Sequence, residues 1–101
     1  MRIINIIDEA DQEHSILVDT KRMTIRFWFN SEIERWHFDV SSDGDPILYG
    51  RKLVVGIDLL EGLSIDVGLL FAIGDAVPDY DALVNGNVIV YHAEQSEVDA
   101  L

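Results

Sequence analysis

The sequence predicts an all-β fold, a small antiparallel barrel with one short helix, and three observations carry that prediction. Apolar and polar residues alternate in run after run, most clearly around Met23, Ile25, Phe27 and Phe29, the period of a strand with one buried face. Turn residues separate the runs at hairpin spacing, among them Asp43-Gly44 and Asn85-Gly86. Only Asp58 to Leu63 places apolar residues at helical spacing, so short antiparallel strands must supply the core.

Ile3 to Ile7 reads as the first strand, apolar except at Asn5 and therefore covered on both sides or set at a subunit contact. An acidic connection, Asp8 to Glu13, leads to a second strand, His14 to Val18, and Asp19-Thr20-Lys21-Arg22 turns into a central hairpin. Its first arm is Met23 to Phe29, with Trp28 on the otherwise polar face. Its second arm puts Trp36, Phe38 and Val40 on one side and Arg35, His37 and Asp39 on the other, so two aromatic-rich strands pair across Ser31 to Glu34.

Gly44 suits the next turn because it adopts positive φ freely, and Pro46 opens a strand from Ile47 to Val55 where a missing N–H does least harm. Ile57, Leu60 and Leu63 then predict one or two helical turns capped by Asp58 and limited by Gly62 and Gly68. Leu69 to Ile73 is a strand, Gly74 to Asp79 a loop and Tyr80 to Val84 a short turn. Asn85-Gly86 signals a hairpin into Val88 to Tyr91, and Glu94 to Leu101 reads as a small acidic tail, mobile or ordered only by a neighbour.

With 101 residues, 49% of them hydrophobic, the chain suits one domain with a single core. The lack of cysteine removes disulfides and thiolate zinc sites from consideration and favours intracellular folding. The N-terminal apolar run is too short for a secretory signal, and none approaches the roughly 18 residues of a membrane span. Nineteen acids against seven Lys and Arg give a net charge of −12, which serves solubility first and steering toward a basic partner second. That balance, with no basic cluster denser than two residues, opposes nucleic-acid binding.

Asp39-Val40-Ser41-Ser42-Asp43-Gly44 matches the first half of a calcium loop, but Gly50 stands where the closing Glu belongs, so a hairpin turn is expected. His14, His37 and His92 lack metal-ligand spacing, and no Gly-x-Ser-x-Gly elbow is present. The chain is expected to be no enzyme, with no catalytic, cofactor-binding or metal-binding residues. Ile4 and Ile6, from the apolar first strand, and Trp28 are the candidate interface residues. For Trp28 the alternative is a strand whose second face is also core, under the turns at Ile57 to Leu63.

The ordered set Phe29-Asn30, Trp36-His37-Phe38-Asp39, Asp43-Gly44-Asp45-Pro46-Ile47, Gly50, Leu53 to Leu60, Gly74-Asp75, Pro78 to Leu83 and Val88 to Tyr91 resembles the baseplate plug proteins of contractile-tailed phages. The chain departs from that pattern at Val84, where family members often carry glycine, and in its longer acidic tail. The resemblance implies a single OB-like β-barrel domain over residues 1–93 and an acidic tail over 94–101. It implies a virion structural protein, made in the host cytoplasm and present in several copies. Its expected partners are the other baseplate proteins (hub, tail tube and spike), and it should help close or organise the distal tail tube without catalysis, cofactor, nucleic acid or membrane. The alternative is a small acidic adaptor or binding barrel outside a phage particle.

Overall fold

The computed structural model describes residues 1–18, 20–63 and 67–99. Among the described residues, seven strands and two short helices follow in the order β1 (Arg2–Ile4), β2 (Asp11–Val18), β3 (Lys21–Asn30), β4 (Arg35–Ser42), β5 (Asp45–Lys52), β6 (Leu69–Gly74), α1 (Tyr80–Val84), β7 (Val88–Ala93) and α2 (Gln95–Asp99). The class is all-β with small helices. The strands form two antiparallel sheets, β2-β3-β4-β5 and β1-β7-β6, rather than one closed barrel.

Alternation decides which faces meet. Met23, Ile25 and Phe27 on β3 and Trp36, Phe38 and Val40 on β4 point inward, and so do Ile4, Leu70, Ala72, Val88 and Val90 from the smaller sheet. These residues join Leu53, Leu59, Leu60 and Leu83 in one buried cluster between the sheets. Closure into a barrel stops at β6, whose outer edge is taken by a loop: Gly56 donates to Ala72 O at 3.0 Å and Leu59 to Leu70 O at 2.8 Å. The other sheet ends in β5, an edge fitted with Pro46 and with register shifts against β4.

Several elements differ from their sequence-based bounds, each for a local reason. The first strand ends at Ile4 instead of Ile7, because the buried side chain of Gln12 binds Ile7 N and O at 2.9 Å and Glu9 O at 2.8 Å in place of a ladder. The second strand begins at Asp11, within the acidic run, because Arg26 across the sheet donates to both oxygens of Asp11, at 2.9 and 2.7 Å. The helical spacing at Asp58 to Leu63 yields only turns, in which Glu61 N reaches Asp58 O and Leu63 N reaches Leu60 O, both at 3.3 Å. Asp58 does cap, accepting from Leu60 N at 3.1 Å, but its Oδ1 also accepts from Leu70 N at 3.2 Å, so the segment is tied to β6.

The helix lies later. Asp79 caps α1 by accepting from Ala82 N at 2.9 Å. Asn85-Gly86 closes the end of α1 instead of forming a two-residue hairpin, with Asn85 N bound to Asp81 O at 2.8 Å. At the C-terminus α2 lies beside the N-terminus, where Arg2 pairs with Glu94 at 3.0 Å and the Met1 amine pairs with Glu97. The last two residues of the expected tail lie outside the described residues.

Candidate functional site

The smaller sheet has two apolar faces. Its inner face is core, but cross-strand partners share a face, so Ile3, Tyr91 and Phe71 form a row on the outer side, with Ile89 and Ile73 as the next pair. Ile3 is 53% exposed and Ile73 is 55% exposed, while Phe71, Ile89 and Tyr91 are half-buried. A contiguous exposed apolar surface of this kind is a candidate contact site. The sequence signal for it is the absence of alternation in Leu69-Leu70-Phe71-Ala72-Ile73 and in Val88-Ile89-Val90-Tyr91, where continuous apolar runs denote strands covered on both faces.

Beside this face, where the chain leaves β7 after Ile4, a groove of about 260 Å³ opens between residues 3–6 and the α1–β7 connection. Ile4 and Ile6 line it with Leu83, Val84 and Val88. Ile4 is 5% exposed and belongs to the core, whereas Ile6 is half-buried against it. The structure therefore brings Ile4 and Ile6 to one groove and leaves Ile3 as the strand's outward residue.

Trp28 lies on the other sheet. Its indole stacks on His37, with ring centroids 4.6 Å apart and planes 17° from parallel, and its Nε1–H donates to Asp39 Oδ1 at 3.2 Å. The same oxygen accepts from Gly50 N at 2.7 Å, and Arg26 donates to Oδ2 at 3.3 Å. Asp39 is thus a buried clip across β3, β4 and β5. The first carboxylate of the calcium-like string is committed to the sheet, and the Asp43 carboxylate accepts from Arg22 N at 2.9 Å, so the string is a hairpin turn. Among the described residues no group of three His, Cys, Asp or Glu side chains converges to hold a metal ion.

A third cluster joins α1 to the large sheet. Tyr80 stacks on Trp36 at 5.4 Å and meets Phe29 edge-on at 5.2 Å, and its hydroxyl donates to Asp8 Oδ1 at 2.6 Å. That hydrogen bond, then desolvation and the charges of Asp8, Glu9 and Asp81, push the phenol up to about 12. The arrangement fixes the N-terminal connection onto α1. His14 is held below the usual histidine range by burial alone, its ring edge-on to Phe27.

The outer face of the smaller sheet and the groove beside it present apolar rather than basic side chains. Comparison with curated proteins finds no match. Residues 1–95 match the family described as the cyanophage baseplate Pam3 plug gp18, and the chain therefore belongs to that family of baseplate plug proteins, structural components of the phage tail.

Proposed function

We propose that the protein is a plug at the distal end of the tail tube, near hub and spike, present in several copies and held by neighbouring baseplate proteins through the outer face of the smaller sheet. The observation that carries this reading is the row Ile3-Tyr91-Phe71, an apolar face left open by the chain itself. Ile6 extends that surface into the groove beside it, which is sized for side chains of a neighbour. Ile4 acts beneath it by shaping the groove's floor. Trp28 is a separate, smaller contact, because the indole is half-buried, stacked on His37 and bonded to Asp39. The acidic surface favours partners with basic rims around an apolar centre.

The role needs no reaction, and we read the protein as a non-enzyme, synthesised in the host cytoplasm before assembly. Residues 1–93 act as the folded unit, and residues 94–101 as an acidic appendage. The test uses Ile3→Asp and Ile73→Asp, both at exposed positions. Each variant should keep its unfolding midpoint in isolation and lose roughly tenfold or more in incorporation into virions, as expected of an anchor worth about 2 kcal/mol. Normal incorporation of both variants would remove the face from the interface, and absence of the unmodified, folded chain from purified particles would favour the free-standing adaptor.

A further inference from the structure

We infer that His92 is an acid-sensitive core residue that lets the β1-β7-β6 sheet stay packed only while its ring is neutral. The ring points inward from β7 and is 0% exposed, and its Nε2 lies 2.7 Å from Val67 O. A carbonyl oxygen only accepts, so Nε2 carries the proton and Nδ1 is the bare nitrogen of the neutral ring. That Nδ1 is enclosed without a hydrogen-bond partner among the described residues. A second proton there would create a buried cationic N–H with no acceptor, a state the fold disfavours.

The fit around the ring is tight. A Cβ on Gly68 would stand 3.0 Å from His92 Nε2 and 2.3 Å from Ala93 O, and the residue has a φ of +84°, so only glycine lets the segment close over the imidazole. The charged groups around the ring are Arg2, its partner in the β1–β7 register, the Met1 amine and Glu94. Arg2 and the amine oppose an imidazolium. Glu94 favours one but is engaged by Arg2, and Glu97 is engaged by the amine. Burial is the largest influence and holds the ring below the usual histidine range, against the smaller opposing pull of the Val67 carbonyl.

Proton uptake therefore requires the packing that encloses Nδ1 to open, while Nε2 keeps its proton for Val67 O. His92 stands opposite Leu70 on β6 and Arg2 on β1, so such an opening loosens the sheet that carries Phe71 and Ile73. The device goes beyond the baseplate role and does not depend on it, since it is read out on the isolated chain.

The test is urea unfolding of the full chain between pH 5 and 7.5, in a His14→Gln background that removes the other histidine held low by burial. Because the folded-state pKa is depressed, the stability is fully present above about 6.5 and is lost as pH falls, with the unfolding constant rising by up to about tenfold per pH unit. His92→Gln added to that background should flatten the dependence. Should that variant fail to fold, the ring resonances of His92 in the unmodified chain decide: they should show the Nε2–H tautomer and a titration clearly below 6.5. A midpoint at or above 6.5, or a pH dependence unchanged by His92→Gln, would overturn the proposal.

Discussion

The indole N–H of Trp28 donates to Asp39 Oδ1 at 3.2 Å, and this bond explains an aromatic residue on the polar face of a strand. The carboxylate that receives it also holds the backbone N–H of Gly50 at 2.7 Å, at the point where β5 departs from regular register with β4. Asp39→Ala should leave both donors without their acceptor and cost about 3 kcal/mol in denaturant unfolding. A loss below about 1 kcal/mol would mean that the clip is incidental.

The pair can be isolated from its surroundings. Trp28→Phe keeps a ring over His37 but removes the donor, so a cycle with Asp39→Ala, which removes the acceptor, should give a coupling energy of about 1 kcal/mol. Additive effects would show that stacking alone fixes the indole.

The strands were legible where one face is buried. Met23, Ile25, Phe27, Trp36, Phe38 and Val40 stand in the core as their alternation indicates, and Asp43-Gly44 makes the turn between β4 and β5. What escaped was set by partners distant in sequence. Gln12 ends β1 by side-chain hydrogen bonds, Arg26 allows acidic Asp11 to begin β2, and the Asp58 bond to Leu70 N ties its segment to β6. The outer apolar face was visible only as missing alternation in β6 and β7, and its extent depends on the register that brings Ile3, Tyr91 and Phe71 side by side.

Gly68 and Gly62 should respond differently to alanine although both have positive φ. At Gly62 a Cβ meets open space, and the change should cost about 1 kcal/mol from backbone strain alone. At Gly68 the Cβ would meet Ala93 O at 2.3 Å, so the loss should exceed about 3 kcal/mol. Equal losses in thermal unfolding would contradict the close approach of this segment to β7.

Alkaline titration addresses Tyr80, one of three tyrosines. Its phenol is raised toward about 12 by the hydrogen bond to Asp8, above the ordinary value of 10.0, so the folded state prefers the protonated form. The contribution to stability is present below pH 10 and is lost as pH rises toward 12. Ultraviolet titration should show one late-ionising tyrosine that disappears in Tyr80→Phe, and an unchanged late step in that variant would place it elsewhere.

The most direct measurement is a cryo-electron microscopy reconstruction of the intact tail at a resolution that separates strands. The domain should lie at the distal end of the tail tube with the outer face of the β1-β7-β6 sheet against a neighbouring baseplate protein, and Ile3 and Ile73 covered. A domain seated there with that face open to solvent, or one located away from the tube's end, would contradict the proposed mode of attachment.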